Sequence, residues 1–282
     1  DNGDCTLTYT PNFGFTGNEA ITYRVTDGTT PAVAATLNVA VNEGIEVWYG
    51  DTQNFGALGE PQNWVNILGS VDINEVTSLS YTLNGGASVS LVLGPDTRRL
   101  QEDGDFNIEI DYSQLDPTAT DDTIVITAQR VGGGTFTRTV VIDYEAGNDW
   151  AADYSIDWDA ATSITDVVQV VDGKWSATAD GLRLDETGYD RIVALGDQSW
   201  DFYEVNLTVE MHDLSTTHPR DNSAIAFGFH WSGHTDNPRA GFSPHAGWEN
   251  SAGLYFWTGE EVSFDRYYGW TTGPNSGIAL NN

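Results

Sequence analysis

Cysteine is almost absent from this chain, and positive charge is scarce. Cys5 is the single cysteine among 282 residues, so no intrachain disulfide can form and Cys5 reads as a structural thiol. Lys and Arg number 11 against 42 Asp and Glu, a net charge of -31. Such a surface repels nucleic-acid phosphates and anionic lipid heads, which removes both from the expected partners. No apolar run is long enough to span a bilayer, so direct membrane insertion is not expected. Helical periodicity is nearly missing, which argues against a helical or α/β fold. There is no G-x-S-x-G elbow and no phosphate or dinucleotide loop, and the glycines of Asn84-Gly85-Gly86 and Gly132-Gly133-Gly134 read as hairpin turns.

What remains is rich in strand formers. Hydrophobic residues make up 39% and aromatics 12%, enough for packed cores and too much for disorder. Val, Ile, Thr, Tyr and Trp fall in short runs broken by Gly, Asn and Asp, the pattern of an all-β protein. Three alternating stretches come first: Leu7-Thr8-Tyr9-Thr10-Pro11, Ala20 to Gly28, and Ala35 to Asn42. A second group predicts seven strands: Ile45–Tyr49, Trp64–Val71, Ser78–Leu83, Ser88–Leu93, Asp105–Ile110, Thr123–Gln129 and Phe136–Tyr144. Asn84-Gly85 between two of them predicts a type I′ hairpin. Seven strands in about one hundred residues suit an immunoglobulin or fibronectin III sandwich. Gly50 to Pro61 is expected to be a long loop and a possible contact site. After the short joint Glu145-Ala146-Gly147-Asn148-Asp149 the composition changes, and eight of the ten tryptophans and all five histidines lie beyond it.

Two resemblances follow from these residues. Tyr9-Thr10-Pro11-Asn12-Phe13, Phe15-Thr16-Gly17, Ile21-Thr22-Tyr23 and Val25-Thr26-Asp27-Gly28 resemble the cadherin-like and immunoglobulin-like tandem repeats of large bacterial surface proteins. Val170 to Trp175, Gly188-Tyr189-Asp190-Arg191, Gly196 to Trp200, Tyr203–Val209 and Ile225 to Trp231 resemble a laminin-G-like, concanavalin-type jelly roll. The resemblances imply tandem β-sandwiches: the C-terminal part of a cadherin-like domain over 1–43, an immunoglobulin-like sandwich over 44–147 and a jelly roll over 148–282. The first and last are expected to be incomplete. The jelly-roll fold hosts lectins, hydrolases, lyases and adhesion modules, so it implies no single activity.

The candidate sites follow from residue chemistry. Calcium takes several oxygen ligands, which Asp27, Asn42 and Glu43 offer at the first joint and Asp72 and Asn74 offer on one turn. Asp103, Asp105, Asp121 and Asp122 add further oxygens, although Asp and Asn in turns are first of all turn formers. No twelve-residue calcium loop is present. In the stretch Tyr203 to His212, Tyr203, Val205, Leu207, Val209 and Met211 are expected to face a core, and Glu204, Asn206, Thr208, Glu210 and His212 to face solvent. Glu204 and Glu210 would then stand about 20 Å apart, too far to act together on a glycosidic bond. Glu109-Ile110-Asp111 resembles the E-I-D-x-x-E strand of retaining jelly-roll glucanases but lacks the second Glu and lies in the middle sandwich, so it is set aside. His230 and His234 flank a Gly-containing turn rather than a helix, which gives them no zinc geometry.

Glycan binding is the preferred reading. Sugars stack their CH faces on aromatic rings and hydrogen-bond to polar side chains. His230, His234, Asp236, Arg239, Trp248, Tyr255, Trp257, Tyr267, Tyr268 and Trp270 supply both kinds of group, while Phe227, Phe229 and Trp231 are expected to pack inside. The sequence thus points to a fragment of an extracellular or cell-surface bacterial protein that binds a polysaccharide or matrix, with calcium support and immunoglobulin-like spacers. Two alternatives stand beside it. One is a structural subunit of a fibre or layer, pairing with copies of itself through open strand edges. The other is a polysaccharide hydrolase or lyase drawing on Glu249, Glu260, Glu261, His230 and Arg239.

Overall fold

The structure is a computed structural model. It describes residues 9, 17–26, 29, 31–41, 44–118, 121–161, 163–210, 223–236, 241–249, 252–258 and 266–271. Its regular elements are almost all strands, and none of the described helices is long and apolar enough to cross a membrane.

β1 (Gly17–Val25) and β2 (Val33–Val41) form an antiparallel two-stranded ribbon. A sandwich follows. One sheet holds β3 (Ile45–Val47), β5 (Trp64–Val71) and β8 (Asp105–Asp111). The facing sheet runs β4 (Thr52–Phe55), β10 (Thr135–Tyr144), β9 (Asp122–Arg130), β6 (Val76–Leu83) and β7 (Val89–Leu91). Alternation builds its core: Ile124, Ile126 and Ala128 from β9 and Val140 and Ile142 from β10 meet Val65, Ile67, Ile108 and Ile110 from the opposite sheet. Asn84 and Gly85 both adopt positive φ, with Gly86 N–H donating to Leu83 C=O, so the type I′ turn joins β6 to β7 as its sequence demands.

Gly50 to Pro61 is not a plain loop, because it contains β4, which pairs in parallel with the end of β10 from Thr52↔Val141 to Phe55↔Tyr144. The strand is short and its alternation is carried by Gln53 as well as Phe55, so hydrophobic pattern alone does not reveal it. Gly56 ends it at φ +77, where a Cβ would lie 2.3 Å from the Glu145 carbonyl oxygen. Only glycine fits both the backbone angle and the approach.

The three-stranded sheet is buried on both sides. Val65, Ile67 and Val71 of β5 face the sandwich core, whereas Leu68 packs outward with Ile164, Val168 and Val170. A third layer covers this outer face. It begins with β11 (Gln169–Asp172), β12 (Trp175–Thr178), β13 (Gly181–Leu184) and β14 (Ile192–Ala194), paired as β11–β14 and β12–β13. Tyr49 ties the layers by donating to Gly173 C=O at 2.6 Å and accepting from Trp175 N–H at 2.9 Å. Asp197 accepts from the backbone N–H of Glu60 and of Trp150. The stretch after β10 therefore packs against the sandwich, and Trp150 is buried.

Beyond it lie β15 (Ser223–Phe229), β16 (Gly233–Thr235), β17 (Gly247–Glu249), β18 (Ala252–Thr258) and β19 (Arg266–Thr271), paired as β15–β18–β19 and β16–β17. The expected strand from Tyr203 is not formed among the described residues: 203–210 pair with none of the described strands, and Val205, Leu207 and Val209 are 49%, 54% and 46% exposed. Alternation makes a segment fit for a sheet, but a strand exists only where a neighbour supplies the ladder. Met211 and His212 lie outside the described residues.

Candidate functional site

The outer face of β5 and β8 is polar at one end. Alternation places Asn66, Asn107 and Glu109 there, and the third layer buries them. Asn107 donates to Val171 C=O at 3.2 Å and Asn66 donates to Asn107 at 3.2 Å. The loop before β8 brings Arg99 into the same layer, fully buried. Its guanidinium pairs with Glu109, and Nε donates to Asp172 Oδ2 at 2.7 Å. It also donates to the carbonyls of His245, at 2.7 Å, and Val171, at 3.3 Å. Arg191 closes the circuit, donating to Asp172 Oδ1 and to Arg99 C=O, each at 3.0 Å.

His245 is the outlet of this network. Glu109 Oε2 accepts from its backbone N–H and lies the same 2.7 Å from its Nδ1. The imidazole lies beside Trp64, centroids 4.9 Å apart, and its Nε2 sits 3.7 Å from Asp236 Oδ1.

Charge balance explains the titration behaviour. Burial works to raise the Glu109 carboxyl, but Arg99 and His245 overcome it and hold the group down at about 2. Burial pushes Asp172 up to about 7 against the pull of Arg99 and Arg191. The Glu109 hydrogen bond raises His245 above its ordinary value. Burial would lower Arg99, yet its two carboxylates carry it upward.

The residues expected to bind glycan separate into groups. His234 stands on β16 opposite Trp248 on β17, and it is 1% exposed. Its ring is edge-on to Trp231 at 5.1 Å, and Trp231 is edge-on to Trp248 at 5.3 Å. Trp248 donates to Asp190 at 3.0 Å. Burial and the Arg99 charge lower His234 to about 4 against the opposing pull of Asp190, whose Oδ2 lies 3.5 Å from Nε2. His234 is thus part of an aromatic wall and does not reach solvent. His230 lies just past β15 at φ +52, exposed, with its N–H donating to Tyr203 Oη at 3.1 Å. Asp236 is exposed beside His245.

Tyr255, Trp257, Tyr267, Tyr268 and Trp270 belong to the separate β15–β18–β19 sheet. There Tyr255 pairs with Tyr268, Trp257 with Arg266, Phe256 with Tyr267, and Gly253 with Trp270. Arg239, Glu260 and Glu261 lie outside the described residues, as do Asp27, Asn42 and Glu43. Asp72 Oδ1 accepts from Asn74 N–H at 2.8 Å and from Asn74 Nδ2 at 2.9 Å, so this pair closes a turn. Among the described residues no three His, Cys, Asp or Glu side chains converge as a metal cluster.

Sequence reasoning missed Arg99, Asp172, Arg191 and His245. The available signal was β5 itself, where Val65 to Leu68 is apolar on both parities except for Asn66. A strand buried on both faces needs a cover, and a cover over Asn66, Asn107 and Glu109 must bring polar partners.

Comparison with known proteins adds one family. Residues 1–42 match the cadherin-like domain. No curated protein matches the chain. A similar solved structure is described as "Ca2+-stabilized adhesin helps an Antarctic bacterium reach out and bind ice", with 18% identity and a TM-score of 0.21. The alignment covers 46% of this chain and 32% of that one, so it spans about a third of that chain's length.

Proposed function

We propose that this chain is part of an extracellular bacterial surface protein with an adhesive role. The carrying observation is the cadherin-like match over residues 1–42 placed directly before an immunoglobulin-like sandwich. The acidic surface supports the reading, since a charge of -31 favours cations and discourages nucleic-acid and membrane partners. Calcium at the first joint, through Asp27, Asn42 and Glu43, would neutralise like charges there and stiffen it.

The recognised partner in this reading is a polysaccharide or extracellular matrix. The part beyond the sandwich, with its laminin-G-like sequence features, would make that contact through the aromatic-rich strands β18 and β19 and the exposed His230 and Asp236. The sandwich and the layer that begins with β11 share a core through Leu68, Trp48 and Tyr49, which favours a stiff junction between those two parts over a hinge.

The test is a glycan array probed with the full chain, in calcium and in EDTA. Calcium-dependent retention without release of product supports the adhesive reading. A folded chain that binds nothing in either condition overturns the carbohydrate part of it.

A further inference from the structure

The stretch from Gly50 to Pro61 forms one wall of a cavity of about 260 Å³ between the sandwich and the layer that covers it. Gln53, Phe55, Asn66, Trp150, Gln169 and Val170 line its buried floor. Asn54, Ala57 and Asp166 stand exposed at its mouth. The wall is fixed in place. Gly59 lies at φ +133, where a Cβ would come within 2.5 Å of Trp150 N. Trp150 N–H donates to Asp197 at 3.2 Å, and Trp150 C=O accepts from Trp200 Nε1 at 2.9 Å. The indole N–H of Trp150 is the exception: it is buried and has no hydrogen-bond partner among the described residues.

A buried donor without an acceptor is unfavourable, so the cavity calls for an oxygen beside that indole. The rest of its chemistry is uncharged. Asp166 at the mouth already accepts from Ser163 N–H at 3.1 Å, and every other lining side chain is neutral. An ionised ligand would enter without a counter-charge. Gln169 donates to Trp64 C=O at 2.6 Å and accepts from Tyr112 at 3.0 Å, and Gln53 donates to Gly50 C=O at 3.0 Å. Each of these amides carries a second N–H for a ligand oxygen. Phe55 and Trp150 add apolar ring surface for CH groups. The volume falls just below the roughly 300–1,000 Å³ of sites for drug-sized molecules, which suits one ring rather than a chain.

We infer that this cavity holds the neutral terminal sugar of a glycan, with one sugar oxygen accepting from Trp150 Nε1–H. The inference rests on the polysaccharide reading for its ligand, but it uses a different site from β18 and β19. The rest of the glycan leaves past Asn54 and Ala57 into solvent.

The experiment titrates the full chain with the methyl glycosides of glucose, galactose, mannose and N-acetylglucosamine, read by calorimetry and by the indole NMR resonances. Trp150→Phe identifies the Trp150 resonance by its loss. At least one glycoside should move that resonance and saturate, with a dissociation constant of about 1 mM. Glucuronate should bind at least about 10-fold more weakly, because its carboxylate finds no cation. Trp150→Phe removes one hydrogen bond and keeps an aromatic wall, so it should weaken binding about 5-fold. Ala57→Trp should block the mouth and abolish binding. Ala57 is exposed, so this variant keeps the fold and decides the matter by calorimetry if Trp150→Phe unfolds. No saturation up to about 10 mM of any glycoside overturns the inference. So does a shift that glycerol reproduces, which marks a cavity filled by water. Glycan-array retention that Ala57→Trp leaves unchanged overturns the cavity assignment alone and leaves the polysaccharide reading standing.

Discussion

Arg99 Nε and Asp172 Oδ2 meet at 2.7 Å across a sequence separation of 73 residues, both fully buried. The contact joins a loop of the sandwich to β11 of the layer that covers it. Desolvating such charges costs several kcal/mol per ion, and only dense hydrogen bonding offsets it. Here the bonding is dense, because Asp172 takes both Arg99 and Arg191 and Arg99 also holds two carbonyls.

Removing one partner should therefore be severe. Arg99→Ala takes the guanidinium from buried Glu109 and leaves Asp172 with Arg191 alone, and a loss of about 3–5 kcal/mol is expected. Replacing Arg99 by Met together with Asp172 by Leu should cost less than the sum of the single changes, because the two residues share one contact, although Glu109 and Arg191 each still lose a partner. Urea denaturation of the three variants measures both effects.

The His245–Glu109 contact predicts a pH window. His245 is raised above 6.5 in the folded chain, so its contribution is complete below 6.5 and is lost as pH rises through the folded value. Glu109 is lowered from 4.5 to about 2, so its contribution is complete above 4.5 and is lost as pH falls toward 2. The contact is then strongest between 4.5 and 6.5. Burial raises Asp172 from 3.8 to about 7, which opposes folding as pH rises through that range. Comparing denaturation midpoints of the chain and of His245→Gln across the acid and alkaline limbs isolates the contact. The difference should peak in mildly acid solution, and a difference flat with pH would contradict the assignment.

Gly56 carries the third prediction. It closes β4 at φ +77 with the Glu145 carbonyl in the place a Cβ would take. Gly56→Ala should destabilise by more than the roughly 1 kcal/mol of an ordinary glycine replacement at positive φ, since the backbone itself must move. Hydrogen exchange should locate the loss in β4 and the end of β10 and leave β6 and β9 protected.

The all-β class and most of the sandwich were legible in the sequence because both rest on local rules. Alternation marked β5 at its exact bounds, Trp64–Val71, and Asn84-Gly85 marked its hairpin. β4 was hidden because its pairing is parallel to a strand about ninety positions later, and no local pattern encodes that. Tyr203 to Glu210 shows the reverse case, alternation that forms no strand among the described residues. The Arg99–Glu109–His245 cluster joins β8 and the loop before it to a residue 136 positions beyond Glu109, so each of its residues reads locally as an ordinary surface charge. Glu109 drew notice only through its resemblance to a catalytic strand, and its position in the sandwich argued against that role. The third layer turns that same position into an interface.

Asp72 separates two uses of an acidic turn. One of its carboxylate oxygens already serves both the N–H and the side-chain amide of Asn74, and its carbonyl accepts from Glu75 and Val76 N–H at 3.0 Å. A residue spent in this way closes the entry to β6. Asp72→Ala should then cost about 0.5–1.5 kcal/mol, the worth of an ordinary hydrogen bond, and cost it equally in calcium and in EDTA. Thermal melts in both conditions make the comparison. A loss seen only in calcium would instead make Asp72 a ligand, and the turn bonds would then be the scaffold that presents its second oxygen.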